Sequence, residues 1–128
     1  MSAIEIDHIN IRSSEQMMPV LRDFYCALLD LQVGVRPAFN SRGFWLYAGD
    51  KALIHLSLCK DNEQRPTHQQ NTLDHIAFRC TDYAKLRSRL VGMGLNLDYD
   101  HVPGTPARQL FLTDPAGNGI ELLFPGGG

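Results

Sequence analysis

The sequence predicts an α+β protein in which one β-α-β-β-β module is used twice in tandem. Three observations predict it: an ordered internal repeat, short strand-like segments in matched positions of both halves, and an amphipathic stretch after the first strand of each half. The repeat comes first, because self-similarity at a fixed offset decides architecture before any single element does. Ile6-Asp7-His8-Ile9-Asn10-Ile11-Arg12-Ser13 aligns with Leu73-Asp74-His75-Ile76-Ala77-Phe78-Arg79-Cys80, 67 residues later. Leu46-Tyr47-Ala48-Gly49-Asp50 aligns with Leu110-Phe111-Leu112-Thr113-Asp114 at an offset of 64, and Ile54-His55-Leu56 with Ile120-Glu121-Leu122 at an offset of 66. The two-residue difference fits a turn lengthened to Asp114-Pro115-Ala116-Gly117-Asn118-Gly119. Three matches in the same order point to duplication.

Each half then reads alike. Residues 4–11 and 73–79 are short, rich in Ile, Leu and Phe, and partly alternating, as half-buried strands are. In the first half, Val20, Leu21, Phe24, Leu28 and Leu29 recur at helical spacing. In the second, Leu86, Leu90 and Val91 do so, with Lys85, Arg87 and Arg89 on the other faces. That second helix is expected to stop near Gly92-Met93-Gly94, where glycine ends helices readily. Three more strands follow per half, near 31–37, 43–48 and 52–58, then near 95–101, 108–113 and 119–124. Asp50-Lys51 and the segment 114–119 supply turns. Module 1 is thus about 3–59 and module 2 about 73–124. The polar segment 60–72 is expected to link them, and Gly126-Gly127-Gly128 to be a loose tail.

Length and composition bound the class. A chain of 128 residues is expected to be one domain with a real core. With 44% hydrophobic and 20% charged residues, it is neither a disordered chain nor a rod. A formal net charge of −2 offers no basic excess for nucleic acid and no acidic tail. No apolar run approaches the roughly 18 residues of a membrane span, and the N-terminus lacks the basic-then-apolar pattern of a signal peptide. Cys26, Cys59 and Cys80 are odd in number and unclustered, so they make neither a disulfide framework nor a zinc knuckle. A reduced, cytoplasmic protein is expected.

Four residues carry the chemistry. His8 and His75 fall in the first strand of each half, and His55 and Glu121 in the last, at nearly equal spacings. His55 and Glu121 stand in otherwise apolar strands, where an unpaired charge is costly. A metal ion is a partner that would suffice. Three imidazoles and a carboxylate suit a first-row divalent ion: zinc, nickel, iron or copper by the imidazoles, with the carboxylate adding manganese. Six-coordination would leave two positions for water or a bidentate substrate, and tetrahedral zinc none. Asp7 and Asp74 are expected to be strand-start hydrogen bonders, since strand neighbours face opposite ways. His68 and His101 are expected in solvent.

The duplicated module, the strand-one histidines and the closing Asp114-Pro-Ala-Gly-Asn-Gly-Ile-Glu-Leu122 together resemble the vicinal oxygen chelate superfamily. It includes glyoxalase I, bleomycin-resistance proteins, fosfomycin-resistance enzymes and extradiol dioxygenases. Phe24-Tyr-Cys-Ala-Leu-Leu-Asp-Leu31 also resembles its first-helix signature, which usually has Gly where Asp30 stands. The resemblance covers nearly the whole chain. It implies a glyoxalase-like fold, in which two modules form a curled, cupped sheet around one divalent metal (Zn, Ni, Fe or Mn), held by His8, His55, His75 and Glu121. It also implies a homodimer, and leaves open whether a site draws its ligands from one chain or from both. Glyoxalase I usually has Glu or Gln at the position of His55. Imidazole there leaves a divalent site at formal +1 rather than 0, which raises its Lewis acidity.

Three functions follow from the resemblance. The first is a lyase or isomerase of lactoylglutathione-lyase type, acting on a small bidentate oxygen substrate such as a glutathione adduct, with Glu121 as catalytic base. The second is an Fe(II) extradiol-type dioxygenase with a His, His, Glu facial triad; there His55 would crowd a position needed for oxygen or substrate. The third is a metal-free antibiotic-binding module, whose members typically lack the ligands that this chain has. Arg36, Trp45, Tyr47, Arg108 and Gln109 are expected to line or rim the cup, an arginine there being suited to an anionic group. No nucleic acid or membrane partner is expected.

Overall fold

The computed structural model describes residues 2–126, so the last two glycines of the expected tail lie outside the described residues. The chain divides between Thr67 and His68 into two compact units. Module 1 runs β1 (Ile9–Ser13), α1 (Met17–Leu29), β2 (Gln32–Gly34), β3 (Gly43–Ala48) and β4 (Lys51–Leu58). Module 2 runs β5 (Ile76–Arg79), α2 (Tyr83–Gly92), β6 (Asp98–His101), β7 (Arg108–Thr113) and β8 (Gly119–Phe124). Each makes a four-stranded sheet, ordered β1-β4-β3-β2 and β5-β8-β7-β6. In both, the first and last strands are parallel and the remaining pairs antiparallel. The duplication read in the sequence is therefore a duplication of topology.

Register decides which side chains are buried and which carry chemistry. In module 1, Leu46 pairs with Ile54 and Phe44 with Leu56. Leu46, Ile54 and Leu56 are buried with Met18, Leu21, Tyr25 and Leu28 of α1. Burial of each such side chain is worth about 1.5–3 kcal/mol. Because neighbours alternate, His55, Ser57 and Trp45 fall on the face away from the helix. Module 2 follows the same rule. Leu110, Leu112, Ile120, Leu122 and Phe124 are buried on the helix side, which leaves Gln109, Phe111, Glu121 and Leu123 on the other.

Several sequence expectations need correction. The first strands begin later than expected, at Ile9 and Ile76, because the ladders with β4 and β8 start at Ile9↔Ile54 and Ile76↔Ile120. Ile4, Ile6 and Leu73 are consequently exposed. His8 and His75 therefore precede their strands instead of lying within them. Edge strands β2 and β6 are shorter than expected and wholly exposed, so no buried face fixes their ends. In α1 the buried stripe is Met18, Leu21, Tyr25 and Leu28, while Val20 is exposed, as is Val91 in α2.

The helix ends explain two sequence signals. Asp30 closes α1 in the left-handed region, at φ 55°, and the Leu31 N–H returns to the Cys26 carbonyl at 3.2 Å. Such a position costs glycine least, which accounts for the glycine usual there in the resembled signature. Helix α2 ends at Gly92, with Gly94 at φ 77°, at the stop expected from the glycines.

Candidate functional site

The histidine–glutamate pair of module 2 is positioned by its turns. The Asp114 carboxylate accepts hydrogen bonds from the Ala116 and Asn118 backbone N–H groups and from the Asn118 side chain, at 2.8 to 2.9 Å. This fixes the 114–118 turn and delivers Gly119 to the start of β8. A Cβ on Gly119 would lie 2.2 Å from the Asp74 carbonyl oxygen, so only glycine lets β8 approach the Asp74-His75 backbone this closely. Two residues on, Glu121 is buried at 7% exposure. Its Oε1 lies 3.0 Å from His75 Nε2, and its Oε2 accepts from Gln109 Nε2 at 3.2 Å. The His75 ring also stands edge-on to Phe111, with centroids 5.6 Å apart.

His75 Nδ1 donates to Asp74 Oδ2 at 2.8 Å, and His8 Nδ1 donates to Asp7 Oδ2 at the same distance. This corrects the expectation for the two aspartates. They hydrogen-bond the neighbouring imidazole because these residues stand ahead of the strands, where alternation does not separate them. The sequence did carry a signal: aspartate precedes the histidine in both copies of the repeat. In each module the hydrogen bond orients one ring nitrogen and leaves Nε2 as the lone-pair donor, an arrangement usual behind metal-bound histidine. The Asp74 hydrogen bond, and next the Glu121 carboxylate, raise the His75 pKa against the opposing effect of burial.

The module 1 pair is arranged differently. His55, at 8% exposure, is stacked between two rings. His8 lies over it at 3.7 Å between centroids and Trp45 at 4.0 Å, both tilted by 13°. Burial, and then the nearby His8, lower the His55 pKa, so the neutral, lone-pair-bearing form is favoured.

Donor geometry tests the fit to a metal. The 3.0 Å separation of His75 Nε2 and Glu121 Oε1 suits two adjacent ligands about 2.1 Å from one ion, subtending about 90° there. His8 and His55 bring two imidazoles, but face to face; both could serve one ion only by opening from the stack. Among the described residues, no group of three or more His, Cys, Asp or Glu side chains is gathered to hold a metal. The donors stand as one pair per module.

Other expected site residues find definite places. Trp45 stacks on His55. Phe39 tilts against Trp45 at 6.2 Å, and the Arg36 guanidinium lies 4.9 Å over Phe39. Arg36 Nη1 donates to the Ser41 carbonyl at 2.8 Å, while its buried Nε has no partner among the described residues. The Tyr47 hydroxyl donates to the Val35 carbonyl, and its ring covers Gly34. Tyr47 therefore ties edge strand β2 to β3. Arg108 is exposed, on the helix side of its sheet, with its guanidinium 4.7 Å over Tyr83. His68 and His101 are exposed, as expected.

One polar network was missed. Ser57 Oγ donates to Asn10 Oδ1 at 2.8 Å and accepts from Arg12 Nε at 3.3 Å, and Arg12 Nη1 donates to Glu63 Oε1 at 3.3 Å. It lies on the face of the sheet that carries His55. The repeated arginine, Arg12 and Arg79, was its only sequence signal.

A family model described as the glyoxalase/bleomycin resistance protein/dioxygenase superfamily matches residues 5–122. No curated protein sequence matches. Solved structures share the fold. One is a glyoxylase/bleomycin resistance protein/dioxygenase domain from Frankia sp. EAN1pec, with TM-score 0.74, 17% identity and 97% of this chain aligned to 99% of that one. A lactoylglutathione lyase from Agrobacterium tumefaciens gives TM-score 0.64 at 17% identity, over 97% and 96% of the two chains. The fosfomycin resistance protein FosX from Listeria monocytogenes gives 0.66 at 15%, over 95% and 93%.

Proposed function

Because the chain belongs to the glyoxalase/bleomycin resistance protein/dioxygenase superfamily, we propose that it is a metal-dependent lyase or isomerase of lactoylglutathione-lyase type. Its substrate is a small molecule with two neighbouring oxygen donors, and a glutathione adduct is the first to try. The observation that carries this reading is the buried Glu121 carboxylate, with one oxygen on His75 and the other on Gln109.

His8, His55, His75 and Glu121 would hold the ion, and this donor set accepts zinc, nickel, iron or manganese. When bound, a divalent ion supplies Lewis acidity toward the substrate oxygens. Glu121 acts as general base, taking a proton from the carbon beside the substrate carbonyl and returning it to the neighbouring carbon. Gln109 orients the carboxylate for both transfers by donating to Oε2. Asp74 and Asp7 orient the imidazoles. Arg36 and Trp45 serve the substrate side, with Arg36 facing an anionic group. Tyr47 ties edge strand β2 to β3, the strand that carries Trp45. The reading extends to a cytoplasmic homodimer.

A second reading, small-molecule binding without chemistry, is favoured by the His8–His55–Trp45 stack, which offers a flat aromatic ligand a ready surface. Elemental analysis of protein reloaded with divalent metals separates the two. The enzyme reading expects about one ion per chain and turnover of methylglyoxal with glutathione. Absence of metal after reloading supports binding alone. Oxygen uptake with catechols would replace the isomerase by a dioxygenase.

A further inference from the structure

Module 2 holds a second concavity that the His75–Glu121 pair does not use. It is an open groove of about 640 Å³ between α2 and the β6–β7 edge, lined chiefly by Tyr83, Arg87, Ser88, Val91, Tyr99 and Arg108. Alternation along β7 puts it on the far side of the sheet from Glu121: Gln109 reaches the glutamate, while Arg108 turns to the helix side.

The groove joins cations to an aromatic floor. Tyr83 is buried and stands edge-on against Phe124 at 5.1 Å, so its ring is fixed. The Arg108 guanidinium rests over that ring at 4.7 Å, a contact that holds it in place. Arg87 follows Tyr83 by one helical turn, and Val91 follows Arg87 by another, which puts all three along one face of α2. Neither Arg87 nor Arg108 has a carboxylate partner among the described residues. Tyr99 and Val91 stay 57% and 52% exposed, leaving apolar surface beside two unneutralised guanidiniums.

We propose that this groove binds a small aromatic carboxylate. Guanidinium matches a carboxylate in shape and charge, and a charge-assisted bond of this kind is among the stronger ones. The Ser88 hydroxyl is a further donor. A ligand ring covers Tyr99 and Val91, and meets Tyr83 in the edge or offset geometry that aromatic rings prefer. Inorganic phosphate would satisfy the arginines and leave the apolar surface wet. A neutral aromatic would leave the charges unmet.

The test is a titration of the ¹⁵N-labelled chain of 128 residues with 2-naphthoate, followed by amide shifts. Saturable shifts are expected at residues 83–91, 99 and 108. Arg87→Gln and Arg108→Gln are each expected to weaken binding about tenfold, the scale of one hydrogen bond to a charged group. 2-Naphthalenemethanol and inorganic phosphate are expected to bind at least about tenfold more weakly on the same scale. Equal binding of the alcohol would reduce the groove to an apolar patch, and equal binding of phosphate to a charge patch; either overturns the proposal. So do shifts confined to module 1, or the same amides moving on dilution without naphthoate, which would identify a second copy as the occupant. Should Arg108→Gln disturb the fold, Arg87→Gln, on the exposed side of α2, still decides the question.

Discussion

His75 Nε2 and Glu121 Oε1 lie 3.0 Å apart, a separation at which a lone pair and a carboxylate repel unless a proton or a cation lies between them. Both groups are anchored from behind, by Asp74 and Gln109, so neither relaxes freely away. His75→Ala is expected to take the metal content of reloaded protein from about one ion per chain to near zero. Glu121→Gln, which keeps the shape and removes the base, is expected to lower kcat about 10²- to 10⁴-fold. Elemental analysis and steady-state assays check both, with circular dichroism reporting that the fold persists.

Asp74→Asn probes the orientation of the imidazole. Outer-shell partners of metal-bound histidine are worth about 10- to 100-fold in metal affinity. Asp74 is solvent-exposed, which favours the low end, about tenfold. Competition with a chelating dye measures it. Unchanged affinity alongside normal wild-type loading would show that Asp74 does not orient the ligand.

Gly119→Ala tests the close approach of β8 to the Asp74-His75 backbone. The new methyl would meet the Asp74 carbonyl at 2.2 Å, and backbone cannot yield as a side-chain tip does. A stability loss of about 1–3 kcal/mol is expected from such overpacking, read from urea midpoints. Metal affinity should fall with it, because displacement of β8 carries Glu121 away from His75.

The Glu63 carboxyl gives a pH-dependent prediction. The Lys60 backbone N–H, then Arg65, hold its pKa at about 2 against an ordinary 4.5. A folded-state value below the unfolded one adds stability that is complete above the unfolded value and disappears as pH falls through the folded one. Wild type should therefore exceed Glu63→Gln in urea midpoint at pH 7, keep a shrinking margin between pH 4.5 and 2, and match it below. A margin that grows toward acid would contradict the assignment.

The repeat made module topology legible, because three matched segments fix the order of elements in both halves. Strands β3, β7 and β8 span the expected residues, because turn-forming residues bound them. The first strands do not: Ile4, Ile6 and Leu73 look like strand residues, yet no ladder partner within the module meets them. That shift hides the aspartate–imidazole bonds, since side-chain alternation holds only within a strand. The network of Asn10, Arg12, Ser57 and Glu63 was illegible for another reason. It joins β1 to the linker through contacts up to 51 residues apart in sequence, and no local pattern encodes such a contact.

Trp45 is the only tryptophan in the chain, and it lies flat on His55. Its emission is therefore a built-in optical probe of one imidazole. Any event that charges, displaces or ligates His55 changes the field across the indole and the contact on its face, and shifts or quenches the fluorescence. Events at the naphthoate groove or at the 114–118 turn, in the other module, have no tryptophan to report them.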